Sequence, residues 1–211
     1  MHNTTIFDMD GLLIDSEPVW QLIEQQVFAT VGLTLTDAMC AQTTGVRIKD
    51  VVAYWYQRYP WTGPSLLQVE QDIIAGMVNH FATHLTIKPG AVELINQFSA
   101  VPGHQLAVCS SSPMALIDAA LAAMGVADKI AVKYSAEQDE FAKPHPLPYI
   151  RCAKRLGVAV QDCRVFEDST VGAISAKAAG MYVIAVPEGA YSEDKFSFCD
   201  QVLSSLNGFR D

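Results

Sequence analysis

Five short segments of this chain, residues 4–8, 105–109, 130–134, 163–166 and 182–186, are apolar almost without interruption. A strand wetted on one side alternates apolar with polar residues. A strand buried on both faces does not, and such strands belong to parallel sheets covered by helices. Helical patterns separate the later segments. Residues 114–124 set Leu116, Ile117, Ala120, Leu121 and Met124 on one face, and residues 147–156 repeat Leu147, Ile150, Ala153 and Leu156. Residues 171–179 follow the fourth segment, with Gly180 placed to end that helix in a left-handed turn. This alternation predicts an α/β fold built on a doubly wound parallel sheet.

One interval breaks the rhythm. Roughly 95 residues separate Asp8 from Gln105, far more than a single crossover helix needs. Trp20, Ile23, Val27 and Val31 share a helical face there, as do Ile48, Val51, Val52, Trp55 and Tyr59, and again Leu66, Ile73, Met77 and Phe81. Lys88-Pro89-Gly90 then interrupts the chain before a helix over 91–101. The economical reading is an all-helical cap domain over 17–85, inserted into a core made of 1–16 and 86–211. Its apolar stripes serve packing within a small bundle.

Composition removes several function classes. The formal net charge is −9, with only 14 Lys and Arg, so neither nucleic acid nor an anionic membrane surface is an expected partner. The five cysteines form no CxxC pair and are odd in number, which fits free, buried thiols in a reducing compartment. The N-terminal residues carry no basic leader, and no apolar run approaches the ~20 residues that span a bilayer. A cytoplasmic protein acting as a monomer is expected.

In open parallel sheets, ligands bind at the carboxyl ends of the strands. Asp8-Met9-Asp10-Gly11 follows the first strand, Ser110-Ser111-Ser112 the second, Lys143-Pro144 the third after a loop, and Glu167-Asp168-Ser169 the fourth. Four carboxylates cannot share one crevice ionised without a cation. A hard divalent ion such as Mg²⁺ suits carboxylates together with a substrate phosphate. Lys143 supplies a point charge and Ser110 a hydroxyl donor for phosphoryl oxygens. Asp8 could attack phosphorus, and Asp10 could protonate the leaving oxygen and then activate water, provided that Gly11 turns the backbone.

These four segments, in this order and spacing, resemble the four motifs of the haloacid dehalogenase superfamily in its phosphatase branch. The resemblance runs over essentially the whole chain. It implies a Rossmann-like core with a helical cap inserted after the first strand. It makes Asp8 nucleophile and metal ligand, and Asp10 acid/base, with its backbone carbonyl also on Mg²⁺. Asp168 becomes a metal ligand supported by Glu167, and Ser110, Ser111 and Lys143 hold the phosphate. Residues 58–65 and 44–48 are similar to cap segments of bacterial hexitol and 2-deoxyglucose-6-phosphate phosphatases. That likeness implies a small sugar or sugar-alcohol phosphate as substrate, with Arg47 facing the site and Glu17 meeting a substrate hydroxyl.

The nearest rival is a sugar phosphomutase related to β-phosphoglucomutase, which would share all four motifs. A dehalogenase needs no leaving-group acid at Asp10, and a phosphonatase needs a cap lysine, for which Lys49 is the only candidate. A receiver-type signalling domain also phosphorylates an aspartate but has no such insert. His80 and His84 have metal-ligand spacing without the glutamate of a HExxH pair, and are expected to face solvent or pack within the cap. His145 is expected to shape the loop beside Lys143.

Overall fold

The computed structural model describes residues 2–187 and 193–210. Among them, six strands form one all-parallel sheet: β1 (Thr4–Phe7), β2 (Gln105–Ser110), β3 (Val132–Ser135), β4 (Cys163–Glu167), β5 (Tyr182–Ala185) and β6 (Gln201–Val202). Their order is β3-β2-β1-β4-β5-β6. Helices α5 (Ala91–Ser99), α6 (Met114–Ala123), α7 (Leu147–Leu156) and α8 (Thr170–Ala178) connect them. The expected doubly wound α/β fold is present.

Side chains on a strand alternate between faces, and the two halves of the core follow that period. Phe7, Leu106, Val108, Phe166 and Ile184 belong to a cluster on one face, together with α5 and α6. Ile6, Ala107, Cys109, Val165 and Val183 belong to a second cluster on the other face, closed by α7 and α8. Phe7 and Phe166 stack with ring centroids 5.4 Å apart. Full burial of such a ring is worth roughly 1.5–3 kcal/mol.

Between β1 and β2 lie α1 (Glu17–Thr30), the short α2 (Asp37–Cys40), α3 (Ile48–Arg58) and α4 (Leu66–His84). Helix α4 packs against α1, α3 and the core helix α6. Val69, Ile73, Met77 and Phe81 are its buried stripe, at the spacing of one helix face. The chain enters and leaves this helical unit through two paired segments. Asp15 N donates to Thr86 O and Lys88 N to Leu13 O, both at 2.9 Å.

Several boundaries and faces differ from expectation. The third strand starts two residues later and ends at Ser135, because Ile130 turns into the core ahead of the pairing with β2. Helix α7 presents Tyr149, Cys152, Ala153 and Leu156 inward, and Ile150 is 42% exposed. Tyr59 lies past the end of α3 and is exposed, and in α1 the fully buried ring is Phe28. Strand β6 is only two residues long and had no apolar run to announce it.

Candidate active site

The register brings three strand ends to one edge. Phe7 pairs with Val108 and with Phe166, so Asp8, Ser110 and Glu167 emerge side by side where the strand order reverses direction around β1. Asp8 N still donates to Phe166 O at 3.0 Å, which fixes its backbone to β4. Gly11 then turns the chain with φ +83°. A Cβ there would also run into the Asp168 carboxylate, so the position requires glycine twice over.

Lys143 sits at the centre. Its Nζ lies 2.6 Å from Asp8 Oδ1, 2.8 Å from Glu167 Oε1, and 3.1 Å from both Tyr149 Oη and Cys109 O. Burial pulls the ammonium down, but the facing Asp8 and Glu167 carboxylates outweigh it and hold it well above its usual range. Tyr149 donates to Glu167 Oε1 at 2.8 Å, and Ser169 gives its N–H and hydroxyl to Glu167 Oε2. Glu167 is 0% exposed with both oxygens engaged. Gly172, at the start of α8, packs beneath that carboxylate so closely that a Cβ would overlap it. Gly172→Ala is therefore expected to destabilise the protein by about 1–3 kcal/mol and to lower kcat, through displaced Glu167. Helix propensity alone predicts a gain of about 1 kcal/mol, so a melting curve decides between the two signs.

The Asp10 carboxylate takes four donors. Ser16 Oγ (2.7 Å) and Trp20 Nε1 (3.3 Å) reach Oδ1, while Ser112 Oγ (2.8 Å) and Ser110 Oγ (3.1 Å) reach Oδ2. Ser110 Oγ also accepts from Ser112 N at 2.9 Å, so its hydroxyl is spent on Asp10. Ser111 lines the cavity with its side chain half-buried. Asp8, Glu167 and Asp168 each place an oxygen within 4.8 Å of the others. Burial first, then Lys143 in the opposite direction, then Glu167 and Asp10 set Asp8, with the net result that it is pushed up to about 8. Burial, then Glu167 and Asp8, push Asp168 well up too. Crowded, oxygen-only and short of positive charge, this cluster fits a hard divalent cation.

These groups line a cavity of about 550 Å³, within the range of small-molecule sites. Its far wall comes from the helical unit. Arg47 reaches across to the loop after β3, donating to Asp139 O at 2.8 Å, and also donates to Asp50. Glu17 accepts from Thr44 (2.8 Å) and Gln21 (3.1 Å). Glu24 on α1 also lines the cavity, and burial together with Glu17 pushes it up to about 7. A carboxyl raised in the folded state contributes stability that is fully present below its ordinary 4.5 and is lost as pH rises through 7. Glu24→Gln is thus expected to be more stable than the parent at pH 8, by at most roughly 3 kcal/mol, and equal to it near pH 4. Urea unfolding at the two pH values measures this.

Sequence reasoning missed Tyr149, Ser112, Ser16, Trp20, Gly172 and Glu24. Ser112 stands in a serine run where it reads equally well as a cap of the following helix, and Tyr149 hides in a stripe whose apparent phase runs through Ile150. His145 does shape its loop: Leu147 N donates to its Nδ1 at 3.2 Å and Ser175 Oγ to its carbonyl at 2.6 Å. His80 and His84 stand apart from the acidic cluster, with His84 bonded to Thr83.

Residues 5–186 match the family model of haloacid dehalogenase-like hydrolases. The chain belongs to this family. It is therefore an enzyme of the hydrolase class, and its relatives include several named phosphatases. It is 38% identical over 203 residues to hexitol phosphatase B of Escherichia coli (strain K12), covering 95% of this chain and 91% of that one. It is 28% identical over 226 residues to a probable pseudouridine-5'-phosphatase of Drosophila melanogaster, covering 97% and 90%. CbbY from Rhodobacter sphaeroides in complex with phosphate has the same fold, with a TM-score of 0.88 at 22% identity over 99% and 96% of the two chains. So does β-phosphoglucomutase from Clostridium difficile, with a TM-score of 0.82 at 21% identity over 100% and 94%. Among the described residues, no helix is long and apolar enough to cross a membrane.

Proposed function

We propose that this hydrolase is a Mg²⁺-dependent phosphatase acting on a small sugar or sugar-alcohol phosphate through an aspartyl-phosphate on Asp8. The observation that carries the reading is Asp8 at the switch point of the sheet, with Oδ1 held by Lys143 at 2.6 Å and Oδ2 left for chemistry. The Asp8 oxygen attacks phosphorus and the bond from phosphorus to the substrate oxygen breaks. Asp10 gives that leaving oxygen its proton. The same carboxylate then takes a proton from water, which attacks phosphorus, and the bond to Asp8 breaks to release inorganic phosphate. Ser16, Trp20 and Ser112 hold Asp10 in one position through both halves.

Lys143, Ser111 and, once the substrate competes for its hydroxyl, Ser110 hold the phosphoryl oxygens. Asp8, Asp168 and the Asp10 carbonyl would hold the metal, with Glu167 behind them fixing Lys143. A bound Mg²⁺ supplies charge neutralisation for the phosphoryl group. Residues 17–85 act as a cap that excludes water, hinged where residues 13–15 and 86–88 pair, and Arg47 and Glu17 belong to its inner wall. The name of the Escherichia coli relative supports a hexitol phosphate, and the free thiols support a reducing compartment such as the cytoplasm.

The test is phosphate release from a panel of hexitol phosphates, hexose 6-phosphates, 2-deoxyglucose 6-phosphate and acetyl phosphate, with Mg²⁺ and with a chelator. Release from one sugar group that stops with chelator is expected. Mg²⁺ binding is expected to tighten from pH 6 to pH 8, because carboxyls pushed up by burial must lose protons to hold it. Release from none of these substrates contradicts the reading.

A further inference from the structure

Glu24 has no part in the chemistry just described. It lies on α1 one turn beyond Trp20, whose indole N–H reaches Asp10. Residues i and i+4 share a helix face, so Glu24 stands about 6 Å farther along the axis from the reacting groups. It is only 7% exposed, yet it borders the cavity. Among the described residues, no donor and no cation meets its carboxyl group, and the residue lines the cavity. A buried acid without a partner costs free energy, and a ligand that supplies donors offsets that cost.

The surrounding wall narrows the choice of ligand. Glu17 and Asp50 line the same cavity, as do the neutral residues Gln21, Thr43 and Thr44, all from the helical unit that carries Glu24. Among the described lining residues the cations are Lys143, held at Asp8, and Arg47. Two Arg47 nitrogens are already committed to Asp50 and to Asp139 O. A second phosphate or a carboxylate at this end would face Glu17 and Glu24 with little cation to balance it. Hydroxyl groups would donate to them.

We propose that Glu24 is a specificity-determining residue: it takes the hydroxyl donors at the far, uncharged end of a polyol monophosphate and turns away substrates with a second anionic group there. This rests on the phosphatase reading above, and it makes a bisphosphate-handling mutase a poor fit to the cavity.

The experiment compares kcat/KM for a hexitol monophosphate, acetyl phosphate, a hexose bisphosphate and a 2-amino sugar phosphate in the parent, Glu24→Leu and Glu24→Gln. In Glu24→Leu, the ratio of hexitol phosphate to acetyl phosphate should fall by about 10- to 100-fold, the worth of a hydrogen bond to a charged group. The fall should lie mainly in KM, and the bisphosphate should gain relative to the hexitol phosphate. Glu24→Gln, which keeps an acceptor, should hold that ratio within a few-fold, and a melting curve establishes that both variants fold. An unchanged ratio in Glu24→Leu overturns the role of Glu24 while leaving the phosphatase reading intact. So does a parent preference for the amino sugar phosphate, which would point to an ammonium ligand. A parent that hydrolyses none of the four fails at the phosphatase reading itself, and this proposal falls with it.

Discussion

Asp8→Asn is expected to lower turnover by about ten-thousandfold or more while the protein stays folded. That is a loss of more than about 5 kcal/mol of transition-state stabilisation. The amide is nearly the same shape as the carboxylate, so Lys143 keeps its contacts with Glu167, Tyr149 and Cys109 O. What disappears is the one group placed to bond phosphorus. The stability change should carry the opposite sign. Burial first, and then the Glu167 and Asp10 carboxylates, push Asp8 up to about 8 against the pull of Lys143, so removing its charge relieves desolvation and repulsion in protein without metal. Melting without Mg²⁺ should be unchanged or higher, and the upward shift on adding Mg²⁺ should shrink. Steady-state kinetics and a thermal melt with and without the ion read both effects. Retained turnover would remove Asp8 from the mechanism.

Lys143→Met should cost the most stability of any single change at the site. It leaves Asp8 and Glu167 buried around a missing ammonium, and breaking a buried pair by removing one partner costs about 3–5 kcal/mol. For a chain of this size the midpoint should drop by roughly 10 °C. Turnover should fall as well, since the substrate phosphate would lose its one buried cation. Lys143→Arg should recover little of either. A planar guanidinium fork cannot replace a compact ammonium that meets two carboxylates, a phenol and a carbonyl at 2.6–3.1 Å. Differential scanning calorimetry of the two variants measures the cost, and a loss under 1 kcal/mol in Lys143→Met would mean that the pair is not buried as described.

The parallel sheet was readable because burial on both faces leaves nearly unbroken apolar runs, and the strand-end chemistry was readable because it sits immediately beyond those runs. Strand β3 starts two residues later than its apolar run because that run continues upstream through Ile130, which turns into the core, and Ala131, whose N–H bonds to Leu106 O ahead of the paired strand. Strand β6, two exposed residues, carries no apolar signal at all. The phase of α7 was misread because Ile150 and Tyr149 are both apolar enough to lead a stripe, and only the fold assigns Tyr149 to Glu167. At the site, the residues legible in advance were those whose chemistry needs a particular side chain at a strand end. Those missed act on another residue. Ser16, Trp20 and Ser112 hold Asp10, and Gly172 makes room for Glu167. Such contacts depend on how loops and the first turns of helices meet across the site, which no periodicity describes. The wall around Glu24 was invisible for the same reason, since it forms only where α1 meets residues 40–50 across the cavity.

The most direct test of the account is to trap the intermediate. Enzyme turning over a hexitol phosphate with Mg²⁺ is quenched and treated with borohydride, which reduces an acyl phosphate of aspartate to homoserine, and the digested chain is read by mass spectrometry. The account predicts homoserine at position 8, only in the presence of substrate and Mg²⁺. Phosphate release at full rate with position 8 still aspartate, and the modification found at another carboxylate, would contradict it.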